Sequence, residues 1–271
     1  MRPNKLLTST ALTTSAVFAS GAAFAQQPSS YVRNAFSQPL TYSWTGWYAG
    51  LNFGAGFTSL DHGLTIPGTA PRTFTSGGGG TDNAFTGGFQ VGYNWMVVPR
   101  WVVGFEGDLN YLNARRDNSF HSVLVAPAGS SGSEDVVGSQ ISRVKWLSTI
   151  RARFGHVWND TFFYATGGVA FGRVESSANA LITSKNGDIT RYNGSFAETR
   201  AGWAAGAGFE HALTDRVSAK LEYLHFDLGS ADYGIPGVIV SGGNGFGLNA
   251  TAHANFNGDI VRFGLNAKMG P

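Results

Sequence analysis

Hydrophobic and polar residues alternate along eight separate segments of the chain. In the first segment, Trp47 and Phe53 fall on one face, and Gly50 and Asn52 fall on the other. Because successive side chains of a strand point to opposite faces, this period of two predicts half-buried β-strands. The predicted strands cover residues 45–57, 85–95, 101–111, 143–155, 163–172, 200–210, 217–223 and 261–269.

The connections between these segments alternate in length. Tight turns lie at 96–100, 159–161 and 212–215, and long polar stretches lie at 59–83, 114–141, 176–197 and 230–257. Short turns at one end and long loops at the other are typical of outer-membrane barrels. The pattern therefore predicts an all-β fold, an eight-stranded antiparallel, up-and-down transmembrane β-barrel with short periplasmic turns and long extracellular loops.

The placement of charge separates this fold from a soluble barrel, which shows the same alternation with its apolar face turned inward. The apolar faces of the eight segments carry no Asp, Glu, Lys or Arg, and a basic residue at mid-bilayer costs about 2–4 kcal/mol. The opposite faces combine rows of glycine with charged residues. An eight-stranded barrel is too narrow inside for so many aromatic rings. The apolar faces are therefore predicted to contact lipid.

Charged residues of the predicted inner faces form the densest polar set in the chain. An unpaired buried charge is costly, so a structural ion network is expected to form there. Its predicted members near mid-strand are Glu106, Asp108, Arg151, Arg153, Glu210, Lys220, Glu222 and Arg262. With Arg143, Lys145, Arg200 and Lys268 added, eight bases face four acids, so any pore formed would favour anions. Eight-stranded barrels usually leave no aqueous channel, which favours a structural plug.

Tryptophan residues mark the end of the predicted barrel that carries the short turns. Tryptophan and tyrosine concentrate at membrane–water interfaces, where barrels carry an aromatic girdle. The predicted periplasmic girdle consists of Trp44, Trp47, Trp95, Trp101 and Trp158.

The N-terminus and the composition predict export. Two basic residues precede an apolar stretch that ends in the small-residue motif A-F-A, which is typical of a cleaved secretory signal peptide. We predict a signal peptide at 1–25, a flexible periplasmic arm at 26–43 and a barrel domain at 44–269. Outside the signal peptide, basic and acidic residues balance, so charge does not favour an acidic partner. The chain contains no cysteine, which excludes disulfides and thiolate chemistry.

Sequence motifs for chemistry are sparse. Ser142 and Lys145 match the S-x-x-K nucleophile motif, but the partner motifs of that enzyme class are absent, so the match is interpreted as chance. His62, His121 and His253 lie in three different long connections, where they could converge on a haem or metal at the barrel mouth. Scattered solvated histidines are the more common explanation. We therefore expect no catalytic residue, no metal site and no cofactor.

Four motifs carry a family resemblance. They are WTGWYAG at 44–50, YATGGVAFG at 164–172, GWAAGAGFE at 202–210 and KLEYLHFDLG at 220–229. Together they resemble strand motifs of the small surface-antigen barrels of alphaproteobacteria, the outer-membrane immunogenic protein or porin-like family. The resemblance covers residues 44–268 and implies a surface-antigen or host-contact role. It departs at the C-terminus, where family members usually carry an aromatic residue and this chain has Met-Gly-Pro.

These features predict a non-catalytic barrel in the outer membrane of a Gram-negative cell, supporting the envelope and displaying its loops. Two alternatives stay open, a small porin-like channel for ions or small solutes, and haem capture by the outer loops. The predicted partners are outer-membrane lipid, the barrel-assembly machinery during insertion, and a host or envelope ligand at the loops. No nucleic-acid partner is expected.

Overall fold

The strands form one antiparallel sheet in a computed structural model that describes residues 42–59, 61–67, 73–78, 81–125, 133–241 and 249–269. Ten strands occupy these ranges: β1 (Gly46–Ser59), β2 (His62–Pro67), β3 (Thr73–Gly78), β4 (Thr81–Val98), β5 (Trp101–Val125), β6 (Ser133–Trp158), β7 (Thr161–Ser184), β8 (Ile189–Ala212), β9 (Val217–Ser241) and β10 (Asn249–Met269). Within the described ranges, no helix is long and apolar enough to cross a membrane.

Eight of these strands close into a ring. The order is β1-β4-β5-β6-β7-β8-β9-β10, and β10 pairs back onto β1 along residues 257–269. The β2–β3 hairpin lengthens the wall, because β2 pairs with β10 at 251–254, just beyond the last β1 pair. There β2 takes the place of β1 beside β10. The ring confirms the predicted antiparallel barrel.

The three predicted tight turns are confirmed. Pro99 and Arg100 join β4 to β5, Asn159 and Asp160 join β6 to β7, and residues 213–216 join β8 to β9. Arg100 and Asn159 adopt left-handed backbone angles, with φ of 70° and 52°. Such angles let a two-residue hairpin match the twist of its strands. We call this end of the barrel the turn end and the opposite end the loop end.

The prediction that the long polar connections are loops is wrong over most of their length. β5 runs to Val125, β6 begins at Ser133, β9 runs to Ser241, and only residues 185–188 separate β7 from β8. Most inward side chains of these extensions are small or apolar, as at Ala178, although Gln140 is buried there too, and most outward side chains are polar. A wall that stands in water on its outer side needs only one apolar face, so the hydrophobic signal of these segments is weak.

Strand pairing is interrupted at two neighbouring places in the wall. The pairing of β5 with β6 shifts between Tyr111 and Ala114, and the pairing of β6 with β7 shifts between Val144 and Leu147. Val144 and Leu147 are three residues apart, yet both are fully buried in the interior. The alternation of β6 therefore changes phase between them, as expected at a β-bulge.

This phase change corrects three predicted orientations. Val144 was expected on the lipid face and is buried inside the barrel. Arg143 and Lys145 were expected in the lumen and lie on the outer face, where Lys145 pairs with Glu175 at 2.8 Å. A bulge re-aims the side chains beyond it, and a strict period of two cannot show where a bulge falls.

The interior is filled in layers from one end of the barrel to the other. An aromatic cluster around Trp44 and Phe162 lies at the turn end, and the charged side chains form the next layer. Two apolar clusters follow toward the loop end, one that includes Phe226 and one that includes Ile182 and Tyr192. Apolar layers therefore flank the charged layer on both sides.

Several predictions concern residues outside the described ranges. The signal peptide at 1–25 and all but the last two residues of the arm at 26–43 lie there, and they stay predictions.

Candidate functional site

All eight charged residues predicted for the lumen lie in one layer of the interior. They are Glu106 and Asp108 on β5, Arg151 and Arg153 on β6, Glu210 on β8, Lys220 and Glu222 on β9, and Arg262 on β10. At most 1% of any of these side chains is exposed. Four cations therefore meet four carboxylates with no net charge and no contact with bulk water.

Two arginines share the same carboxylates at the centre of this ion network. Arg151 Nη2 donates to Glu106 Oε1 and to Asp108 Oδ2, both at 2.8 Å, and its Nη1 donates to Glu222 Oε1 at 3.2 Å. Arg262 Nη2 donates to Glu222 Oε1 at 2.6 Å and to Asp108 Oδ2 at 2.9 Å. These charge-assisted bonds offset the cost of removing the charges from water, and they tie four strands together across the lumen.

Arg153 extends the ion network toward the turn end. Its Nη2 donates to Glu210 Oε2 at 2.7 Å and its Nη1 to Tyr48 Oη at 2.6 Å. The guanidinium also lies over the ring of Tyr164, 4.0 Å from its centre. Both tyrosine hydroxyls donate in turn to carboxylates of the network.

Sequence reasoning did not assign the two tyrosines to the network. Each is a large aromatic residue on an inner face, and Tyr48 stands there between Gly46 and Gly50. This contrast in size could have identified them. Glycines on the inner face leave space in the lumen, and a large side chain among them can reach the charged residues through it.

Polar amides fill space beside the charges. Asn52 Nδ2 donates to Gln90 Oε1 at 3.1 Å, and Gln90 Nε2 donates to Asn266 Oδ1 at 2.6 Å. Asn266 Nδ2 then donates to Glu210 Oε1 at 2.8 Å. These amide hydrogen bonds link β1, β4 and β10 to the ion network. The fourth cation of the network is Lys220, whose Nζ donates to both carboxylate oxygens of Glu106 at 2.8 Å.

Trp44 does not face lipid, so its predicted place in the aromatic girdle is wrong. It is 3% exposed and packs on Phe162 inside the turn end, with ring centres 5.4 Å apart. Tyr42 packs edge-on against Trp44, and burial raises the pKa of Tyr42 to about 12. Trp44 precedes β1, where strand alternation does not fix the direction of a side chain. The other predicted tryptophans are exposed on the outer surface near the turn end: Trp47, Trp95, Trp101 and Trp158.

A second set of aromatic residues was predicted to point outward but was not recognised as a girdle. Its members are Tyr111, Trp146, Phe171, Trp203 and Tyr223, and they lie nearer the loop end. On β7 the outward residues from Phe163 to Phe171 are apolar or glycine, and the next outward residue is Arg173. Nine residues of a strand tilted by about 40° rise about 23 Å. An apolar belt of bilayer thickness therefore separates the two aromatic sets.

The four remaining bases predicted for the lumen do not join the ion network. Arg143 and Lys145 lie outside the wall. Arg200 donates to backbone carbonyls of β9, and Lys268 donates to backbone carbonyls just before β1. The charge of the network is balanced, so the expected preference of a pore for anions has no basis in it.

The S-x-x-K match does not form a nucleophile pair. Ser142 is buried inside the barrel with its Oγ 3.0 Å from Ser176 Oγ, whereas Lys145 lies on the outer face. Side chains on opposite faces of a strand cannot exchange a proton directly.

The histidines considered for haem have acidic partners. His121 Nε2 lies 2.6 Å from Asp135 and His253 Nδ1 lies 2.6 Å from Asp232, while the side chain of His62 falls outside the described part. Among the described residues, no three His, Cys, Asp or Glu side chains are grouped closely enough to hold a metal ion.

The known proteins that this chain resembles are also outer-membrane proteins. Residues 11–268 match the family described as outer membrane protein beta-barrel domain. The chain belongs to the outer-membrane β-barrel family. The 31 kDa outer-membrane immunogenic protein of Brucella melitensis is 33% identical over 237 residues, which cover 84% of this chain and 85% of that protein. The 22 kDa outer membrane protein of Rhizobium leguminosarum is 28% identical over 70% of this chain and 67% of that protein.

Solved barrels are also similar to this family member. The outer membrane protease OmpT from Escherichia coli has a TM-score of 0.41 and 11% identity, covering 87% of this chain and 100% of that one. The outer membrane protein OprG from Pseudomonas aeruginosa has a TM-score of 0.40 and 12% identity, covering 83% and 98%.

Family membership confirms the outer-membrane location and the resemblance carried by the four motifs. Outer-membrane barrels place short turns toward the periplasm and long connections outside the cell. The turn end is therefore periplasmic and the loop end extracellular, and the apolar belt crosses the bilayer between them.

Proposed function

We propose that this protein is a non-catalytic, sealed outer-membrane barrel that stabilises the envelope and presents a rigid extracellular wall. The observation that carries the proposal is the buried ion network, whose side chains have no contact with bulk water. A conducting pore needs a continuous hydrated path, and apolar clusters flank the network on both sides. An eight-stranded ring is also narrow enough for side chains to fill.

The extracellular wall supports a role in surface contact. Strands β5 to β9 have 24 to 26 residues each, more than twice the roughly 9–11 that a bilayer requires. The relative in Brucella melitensis is named an immunogenic protein, and we propose the same surface display here. Val238, Ile239 and Val240 form an exposed apolar strip near the end of β9, which favours contact with a host or envelope surface.

Conductance in planar bilayers tests the sealed state. We expect no stable current steps from the folded full chain, because ions cannot cross the buried charged layer without dismantling it. Liposomes that contain the protein should likewise show no swelling in small sugars, whereas a general porin reconstituted in the same way should swell. Stable steps that vanish when the sample is boiled before reconstitution would establish a channel and overturn the proposal.

A further inference from the structure

The two pairing shifts in β5 and β6 border a groove on the outer surface of the wall. The groove has a volume of about 690 Å³, and the side chains that line it are Leu109, Tyr111, Trp146, Ser148, Phe171 and Thr199. It lies at the extracellular edge of the apolar belt, where the outward residues change from apolar to polar. Its position makes it accessible to acyl chains of the outer leaflet, and the wall separates it from the lumen.

A cluster of basic side chains lies directly above this groove. Its members are Arg115 on β5, Arg143 and Lys145 on β6, and Arg173 on β7. Among the residues that the structure describes, two carboxylates pair with them. Glu175 Oε1 is 2.8 Å from Lys145 Nζ and 3.8 Å from Arg173 Nε, and Asp117 Oδ1 is 2.8 Å from Arg115 Nε. The cation cluster therefore keeps two positive charges in excess.

Arg143 is the member of this cluster without an acidic partner. Within the described part of the chain it forms no salt bridge, and its Nε is buried without a hydrogen-bond acceptor. It lines a second outer cavity of about 350 Å³ together with Glu175. Arg115 stands directly opposite Arg143 on the neighbouring strand. Glu175 stands opposite Arg143 on β7, but it pairs with Lys145 at 2.8 Å. Like charges in opposite positions destabilise a sheet, so a further anion bound beside Arg143 would offset its repulsion from Arg115.

We propose that this surface binds one phosphorylated lipid of the outer leaflet. Its phosphate lies among Arg143, Lys145 and Arg173, and one acyl chain lies along Trp146 and Phe171 in the groove. Guanidinium and ammonium groups donate charge-assisted hydrogen bonds to phosphate, and tryptophan suits the boundary between acyl chains and head groups. The bulge provides the site, because it turns Lys145 outward.

This inference rests on the outer-membrane location and is independent of whether the lumen conducts. A soluble anion would use the cations and leave the groove empty, whereas a lipid uses both. The groove and the cation cluster adjoin on the same strands, which favours the lipid.

Native mass spectrometry of the full chain in detergent micelles tests the site, with lipid A as the probe. Arg143→Gln combined with Lys145→Gln should raise the lipid concentration for half-saturation at least about tenfold, because two charged donors to phosphate are lost. The matched control is Lys185→Gln with Arg191→Gln, which removes two exposed cations elsewhere on the extracellular wall. The control should stay within about twofold of the unsubstituted protein.

Two further probes identify the ligand. Lipid A without phosphates should bind the unsubstituted protein and the Arg143/Lys145 variant equally, and inorganic phosphate should not saturate either. Equal lipid A binding by that variant and the unsubstituted protein would overturn the proposal, as would saturable binding of inorganic phosphate. Arg173→Gln provides an independent variant, and a heat-dependent shift in gel mobility verifies that each barrel is folded.

Discussion

Arg151 lies within hydrogen-bonding distance of Glu106, Asp108 and Glu222, and none of the four side chains contacts solvent. In such a site, the cost of removing one charge depends on the charges left behind, because a buried unpaired carboxylate cannot be hydrated. The ion network therefore behaves as a unit in which each cation offsets the desolvation cost of the neighbouring carboxylates.

We expect Arg151→Met to lower the free energy of unfolding by about 3–5 kcal/mol, because it leaves one carboxylate charge uncompensated. Adding Glu106→Gln should recover part of the loss by restoring neutrality. Urea titration of the barrel in lipid vesicles, read as the folded fraction on unheated gels, measures both effects. Arg216→Met in an exposed turn is the control and should change stability by no more than about 0.5 kcal/mol. Equal effects of Arg151→Met and Arg216→Met would contradict a tightly paired network.

Glycines of the inner face do more than leave space in the lumen. A Cβ atom on Gly168 would lie 2.1 Å from the carbonyl oxygen of Ile150 and 2.7 Å from the Cα of Arg151. Gly168→Ala should therefore push β6 and β7 apart and lower the free energy of unfolding by about 1–3 kcal/mol. Gly234→Ala is the control, because a Cβ there meets no atom within 4 Å. The same urea titration compares them, and similar midpoints would show that the strand contact is unimportant.

At the scale of the strand, the period of two was sufficient to predict the membrane-spanning parts of the barrel. It worked because successive residues lie in different environments. Outward residues contact lipid and must be apolar, whereas many inward residues are glycines or paired charges. It failed at Val144, where a bulge changes the phase, and at Trp44, which precedes the first strand. It also failed in the extracellular extensions, where the outer side faces water and many of the inward residues are small, as at Ala178.

Two positions of β6 test where the belt ends. Ile150 and Val137 both point outward, but Ile150 lies in the apolar belt and Val137 in the extracellular wall. Ile150→Arg should lower the free energy of unfolding by about 2–4 kcal/mol, because the guanidinium enters the bilayer. Val137→Arg should cost no more than about 0.5 kcal/mol, because that side chain stands in water. Urea unfolding in vesicles measures both, and equal costs would contradict the assigned position of the membrane.

At the scale of the whole molecule, the sequence identified which charges point inward but could not show which of them meet. Glu222 and Arg262 are opposite each other in the pairing of β9 with β10. Lys220 and Glu106, by contrast, are 114 positions apart and meet across the lumen. That contact depends on closure of the ring and on the register of every strand between, which no local pattern encodes.

The paired extracellular wall also has a consequence for the dynamics of the barrel. Residues 136–143 of β6 pair with both neighbouring strands. Residues 193–202 of β8 pair with β7 only, because the pairing with β9 is interrupted between Tyr192 and Trp203. Amide hydrogens exchange through local opening, so residues bonded on both sides should exchange more slowly than those with one unpaired edge.

Hydrogen exchange read by mass spectrometry of the folded barrel checks this difference. We expect peptides from 136–143 to exchange at least about tenfold more slowly than peptides from 193–202, although nearly all residues of both segments lie on the extracellular side of the apolar belt. Peptides from the bilayer part of β6 supply the slow reference, and the unfolded chain supplies the fast one. If 136–143 exchanged as fast as the unfolded chain, it would be a loop and the rigid wall would be contradicted. Slow exchange there extends the ordered barrel well beyond the lipid, because antiparallel pairing over an apolar interior needs no membrane to hold it.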